Sequence, residues 1–181
     1  MPHIALAQIF SRSARRAGFS LTMTQGFSPR AKLSFGPELP AGVVALNEPA
    51  DLYFAEDYSD ILEGLNSALP EGFRVSRVMF PPEDSPSLGK SCKHAEYFVR
   101  SVNGSELHDL AKNFYAEALR FCEVSDGWLR LILADPSQNP IGGWVRSLIG
   151  ENIISGWHEI NIVRAAIGIY DAEKGGVFMN A

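Results

Sequence analysis

The segment PPEDSPSLGKS, residues 81–91, constrains this chain more than any other, because it joins three prolines to a near absence of apolar side chains and shows no helical or alternating period. Periodic sequence lies on both sides of it. A chain of 181 residues suits one large unit or two small ones, and the break favours two: residues 1–80 and 92–170, followed by a tail over 171–181. At 46% hydrophobic residues the chain has the material for a core without disulfides or metal.

Before the break, Leu6, Ile9, Phe10, Ala14 and Ala17 recur at helical spacing. Arg15 and Arg16 suit the last turn of such a helix, and Gly18 suits its end. Residues 19–23 then read as strand, 37–50 as a proline-rich loop and 51–55 as strand. Ser59 is a cap candidate for a helix with Ile61, Leu62, Leu65 and Leu69 on one face, and 73–80 reads as a further strand. The order is α, β, β, α, β.

After the break, 95–102 reads as strand, and Ser105 opens a helix carrying Leu107, Leu110, Ala111 and Phe114. Ser125, Asp126 and Gly127 form a hairpin signal between two strands. A glycine-weakened helix over 140–150 and a strand over 159–170 follow, and Trp128, Trp144 and Trp157 are expected in the core. This half reads β, α, β, β, α, β, the order of a ferredoxin-like α+β unit. The whole chain is therefore predicted to be two tandem ferredoxin-like units, the first lacking its N-terminal strand.

The net charge of −5 conceals an asymmetry. Residues 1–37 hold Arg12, Arg15, Arg16, Arg30 and Lys32 and no Asp or Glu, which leaves −10 for the remainder. Cys92 and Cys122 are the only cysteines and show no C-x-x-C spacing, which fits a reducing compartment. No apolar run is long enough to cross a membrane, and the basic residues near the start follow the apolar stretch instead of preceding it, unlike a signal peptide. A cytoplasmic location with no membrane partner is expected.

The basic region contains TQGFSPRAKLSF, residues 24–35. Gly26 and Pro29 interrupt strand pairing, so residues 25–30 are expected to project as a turn or bulge, with Leu33 and Phe35 returning to the core. Phe27 either anchors this turn or stands exposed. Arg30 and Lys32, two apart, share one side if the strand resumes there. Basic groups beside an aromatic suit single-stranded RNA, and the same patch would attract an acidic partner protein. The helix arginines also have a plainer use, as charges complementing the helix dipole.

Three blocks, RRAGFSLTMTQGFSPRAKLSFGPELPAGV, ILEGLNSALPEGFRV and IVRAAIGIY, resemble the radical-SAM-linked protein family, a domain encoded beside or fused to radical S-adenosylmethionine proteins. His3, Arg15, Arg16, Ala17, Gly18, Gln25, Gly26, Phe27, Pro29, Lys32, Leu33, Ser34 and Phe35 stand in register with the family pattern. Pro2, Ala5, Ser28 and Arg30 depart from its usual Ser, Asp, Asn and His. The resemblance implies a strand before His3 and a radical S-adenosylmethionine protein as partner.

The chain lacks the three-cysteine signature of a radical-generating cluster, as well as G-x-x-x-x-G-K-[ST], G-x-S-x-G and H-E-x-x-H. Glu56, Asp57, Asp60 and Glu63 cluster where a helix start favours carboxylates. The expectation is a non-catalytic binding module with no cofactor and no metal, gripping through His3, Arg12, Arg15, Arg16, Gln25, Gly26, Phe27, Pro29, Arg30 and Lys32. Its rivals are a small-substrate enzyme using His3 and Arg30, and a purely structural interaction domain.

Overall fold

A computed structural model describes residues 3–82, 84–102 and 107–179. The expected helix opening at Ser105 lies outside the described residues, as does the side chain of His3. In chain order the elements are α1 His3–Arg16, β1 Leu33–Phe35, β2 Val43–Ala45, β3 Ala50–Leu52, α2 Ile61–Ala68, α3 Leu88–Ser91, β4 His94–Ser101, α4 Leu107–Tyr115, β5 Leu119–Ser125, β6 Trp128–Ala134, α5 Ile141–Gly150, β7 Ile160–Asp171 and β8 Gly176–Phe178. The fold is mixed α+β. It divides into two compact units: the chain up to Phe35 together with Ala50–Ser85, and Gly36–Pro49 together with the chain from Pro86. No described helix is long and apolar enough to cross a membrane.

The first unit is built on α1 and α2. α1 stops where the sequence predicts, because Gly18 takes φ 83°, and the Phe19 and Gly18 N–H groups donate to the carbonyls of Ala14 and Arg15. That pair of bonds satisfies orphan helix carbonyls and turns Phe19 inward. Ser13 Oγ donates to the Ala68 carbonyl at 3.2 Å, tying α1 to α2. The Phe19 ring lies so close to Gly64 that a Cβ there would sit 2.4 Å from it. Phe19, Phe54 and Tyr58 pack as an aromatic trio over buried Ala14, Ile61 and Leu65.

Several expectations for this unit are corrected. Residues 19–23 form no continuous strand; only the isolated bridges Leu21 to Phe54 and Met23 to Ala31 pair them. β1 and β3 make a two-stranded ladder. Residues 73–80 join no sheet among the described residues, and the Asn66 side chain takes the place of a strand partner at Val75, donating to its carbonyl at 2.9 Å and accepting from its N–H at 2.8 Å. Ser59 does not cap α2: its hydroxyl donates to the Asp60 carboxylate, and Asp60 holds the cap position without a side-chain bond. Leu62 points outward at 40% exposure, so the buried stripe of α2 is narrower than predicted.

The second unit carries a mixed sheet in the order β2, β7, β4, β6, β5, with β8 antiparallel to the far end of β7. β4, β5, β6 and the body of β7 pair antiparallel, whereas β2 runs parallel to β7. Asp126 and Gly127, at φ 51° and 75°, make the tight turn between β5 and β6 that their sequence signals. One face of the sheet, with Tyr97, Val99, Leu129, Leu131 and Ile162, packs under α4 and α5. On α4 the buried position falls to Tyr115, and Phe114, expected inside, is 45% exposed. Trp144 is buried as expected, while Trp128 and Trp157 are only half-buried.

The largest correction concerns residues 37–50, expected as a loop of the first unit. Gly36–Pro49 contain β2 and belong to the second. Arg164, almost fully buried in β7, holds them there: its Nε and one terminal nitrogen donate to both Glu48 oxygens, at 2.7 and 2.5 Å, and that same terminal nitrogen donates to the Pro37 carbonyl. Burial opposes the charge on Arg164, but the Glu48 bonds and charge outweigh it and raise its pKa. The expected linker also shortens, since Leu88–Ser91 forms the single turn α3 and buries Leu88 in the second core. Part of the expected tail forms β8, and Gly168 permits it: a Cβ there would meet the Phe178 carbonyl oxygen at 2.2 Å.

Candidate nucleic-acid interface

The backbone around residues 24–32 folds as a hairpin closed by one residue pair. The Thr24 N–H donates to the Arg30 carbonyl at 2.7 Å, and the Arg30 N–H donates back to Thr24 Oγ1 at 3.0 Å. The hydroxyl thus stands in for the carbonyl that a ladder pair would use. Gln25, Gly26, Phe27, Ser28 and Pro29 form the exposed tip, and Gly26 supplies φ 133°, a conformation L residues rarely adopt.

Phe27 stands fully in solvent at the end of this tip. The alternative left by the sequence, an inward anchor, is not what is observed. Single exposed apolar residues are ordinary on protein surfaces; a phenyl ring held off the body by a hydrogen-bonded loop is a more specific arrangement. Below it, Arg30 is exposed with no hydrogen bond or ion pair among the described residues. Lys32 is also exposed, but its Nζ lies 4.0 Å from the centroid of the Tyr53 ring, a cation–π contact at the hairpin base. The base is braced by the Lys32 N–H donating to the Thr22 carbonyl, and by Phe35 packing on Phe10 at 6.1 Å. Asp51 stands opposite Ser34 in the ladder, and burial pushes its carboxyl above the ordinary range.

The other predicted binding residues lie apart in the structure's bonding. Arg12, Arg15 and Arg16 are exposed on α1, where Arg16 donates to Ser13 Oγ at 3.2 Å. No hydrogen bond or ion pair joins them to the hairpin among the described residues. His3 opens α1. Thr24 and Tyr53, which lock the hairpin and seat Lys32, were not singled out in the sequence; a Thr flanking a Gly and Pro turn was the available signal. Among the described residues no three His, Cys, Asp or Glu side chains converge in a metal-holding group, the acidic residues near α2 included. Cys92 and Cys122 form no disulfide.

Neither a curated protein nor a solved structure matches this chain. The family pattern described as "Uncharacterized protein conserved in bacteria (DUF2344)" matches residues 1–124, which include the whole hairpin. The chain belongs to that bacterial family.

Proposed function

We propose that this chain is a non-catalytic binding module that works in the cytoplasm with a radical S-adenosylmethionine protein, in RNA or translation-linked modification, and that it grips single-stranded RNA with the 24–32 hairpin. The observation that carries the reading is Phe27, wholly exposed on a tip whose base is locked by the reciprocal Thr24 and Arg30 bonds, with the Arg30 guanidinium, which has no partner among the described residues, in the same hairpin. An exposed ring offers a stacking surface, and the cations neutralise phosphate. The partner rests on resemblance to proteins encoded beside radical S-adenosylmethionine enzymes. No group of this chain is assigned a catalytic role and no cofactor is required by the reading.

The finer description of the fold belongs to the same proposal. The order β7, β4, β6, β5 supports a ferredoxin-like second unit. The first unit, with two helices and a short ladder, is read as a reduced form of that plan.

Fluorescence anisotropy of a labelled single-stranded RNA against salt tests the grip. With roughly three phosphate contacts, log K should fall against log salt with a slope near −2, from about −0.7 per contact. Arg30→Glu and Phe27→Ala should each weaken binding about tenfold or more, from the lost phosphate contact and the lost stack. Both side chains are exposed, so the melting temperature should hold. Capture of the partner by the same variants separates the readings: loss of partner capture without RNA affinity in the wild type would favour a protein interface.

A further inference from the structure

The sheet of the second unit has a second face, opposite α4 and α5, and its two ends differ. At one end Arg130 is fully engaged: its Nε donates to Glu96 Oε1 at 2.7 Å, a terminal nitrogen donates to the Gly175 carbonyl, and the guanidinium lies 4.8 Å from the centroid of the Phe121 ring. The Val177 N–H donates to the other Glu96 oxygen, so the chain entering β8 closes this end.

The other end is open. Arg100 on β4, Asn161 on β7 and Trp128 on β6 line a groove of about 470 Å³ whose remaining wall is apolar and includes Val44, Val102 and Val163. Arg100 pairs with Asn161 in the ladder, and Val99 pairs with Leu129, so Arg100 and Trp128 fall on one face of neighbouring strands. Arg100 and Asn161 are exposed, and neither side chain has a hydrogen bond or ion pair among the described residues. The carboxylate of Glu123 stands across from Arg130, toward the β5 edge, and Asp126 lies in the turn that leads into Trp128, on the side of β6 away from β4. The Arg100 end presents a guanidinium with no ion pair among the described residues, a half-exposed indole and an exposed amide together.

We infer that this groove is a nucleotide-binding site for single-stranded RNA, in which the Trp128 ring stacks a base, the Asn161 amide meets a base edge or 2′-hydroxyl, and Arg100 pairs with a phosphate. A volume of this size holds one nucleotide, well within the range of small-ligand pockets. An aliphatic peptide would leave the guanidinium and the amide unsatisfied, whereas a nucleotide uses all three groups. The site is independent of the hairpin: it lies on different elements and in the other unit.

The test uses the full chain and hexauridylate as probe, read by anisotropy of a labelled RNA and by quenching of tryptophan fluorescence. Arg100→Glu should weaken binding about tenfold or more and make the salt slope shallower by about 0.7. Trp128→Ala should weaken it by a similar factor and abolish the quenching, with Trp128→Phe retaining most of the affinity. Should Trp128→Ala fail to fold, Arg100→Glu and Asn161→Ala, both at exposed positions, decide alone. Affinity and quenching unchanged in those two variants would overturn the site, as would an RNA affinity that vanishes only in the hairpin variants Arg30→Glu and Phe27→Ala. A wild type that captures no RNA but retains its protein partner would overturn the nucleotide site and leave the accessory reading standing.

Discussion

The two units solve the problem of burying a sheet with very different resources. In the second, four antiparallel strands lie under α4 and α5, and side chains from every layer share one buried cluster that includes Trp144, Leu131 and Ile162. In the first, the buried apolar residues among those described are Ala14, Ile61 and Leu65, and the surrounding aromatics are half-covered. Buried apolar area sets most of the gain on folding, so the second unit should hold most of the chain's stability. The first relies on individual polar bonds, such as Ser13 to Ala68 and Asn66 to Val75. It also carries the displayed hairpin, and exposed loops with few buried contacts belong to the less stable end of a structure.

The comparison can be broken most strongly at Glu48. Glu48→Ala leaves the Arg164 guanidinium buried without its carboxylate and should cost about 3 kcal/mol, read by urea unfolding, with β2 amides losing protection in hydrogen exchange. No loss would mean that Arg164 finds compensation elsewhere, and that the β2 segment is not held by this pair. Next in size is Gly64→Ala in the first unit. Its new methyl would press on the Phe19 ring and should destabilise by about 2 kcal/mol, with α1 and α2 amides exchanging faster. Protection in β4 and β7 should be unchanged.

Asn66→Ala removes both bonds to the Val75 backbone and should cost about 1 kcal/mol. Faster proteolysis between residues 73 and 80 would report it, and unaltered cleavage would show that packing of Val75 and Val78 alone secures the segment. The smallest effect belongs to pH. Burial, then Arg120, lowers the pKa of His94, against a partial opposing pull from Asp135. Its Nδ1 accepts the Tyr170 N–H at 3.1 Å, which requires the neutral ring. Because the folded pKa is depressed, this contribution is complete above the ordinary value of 6.5 and is lost as pH falls through the folded value. Stability of the second unit should drop on acidification from pH 7.5, and His94→Asn should flatten that dependence.

What the sequence made legible was local. The stop of α1 at Gly18, the Asp126 and Gly127 turn, and the β, α, β, β, α, β order after residue 92 all follow from residues within a few positions of each other. What it hid was distant or specific. β2 is three residues long, and its partner and the Glu48 to Arg164 pair lie more than a hundred positions away, so no local period marks them. Residues 73–80 carry strand-forming side chains, but Val75 and Val78, the two that pack on the first core, are three apart and not two, and the Asn66 amide takes the Val75 backbone. At the hairpin, glycine and proline announced a turn, but the exposure of Phe27 depended on Thr24 closing the loop. Trp128 read as core because tryptophan usually is, and it was its strand face that placed it in the open groove.

The interleaving of Gly36–Pro49 has a genetic consequence. The chain passes from one unit to the other after Phe35, after Pro49 and after Ser85, so neither unit is encoded by an uninterrupted stretch. A fragment ending at residue 85 would carry the β2 strap without β7 to receive it, and a fragment beginning at 86 would leave Arg164 without Glu48. A single nick in residues 81–91 should likewise leave two pieces that co-purify, because the strap remains bonded to β7. Recombination at any one crossover point would damage one half or both, which ties the inheritance of the displayed hairpin to that of the sheet downstream.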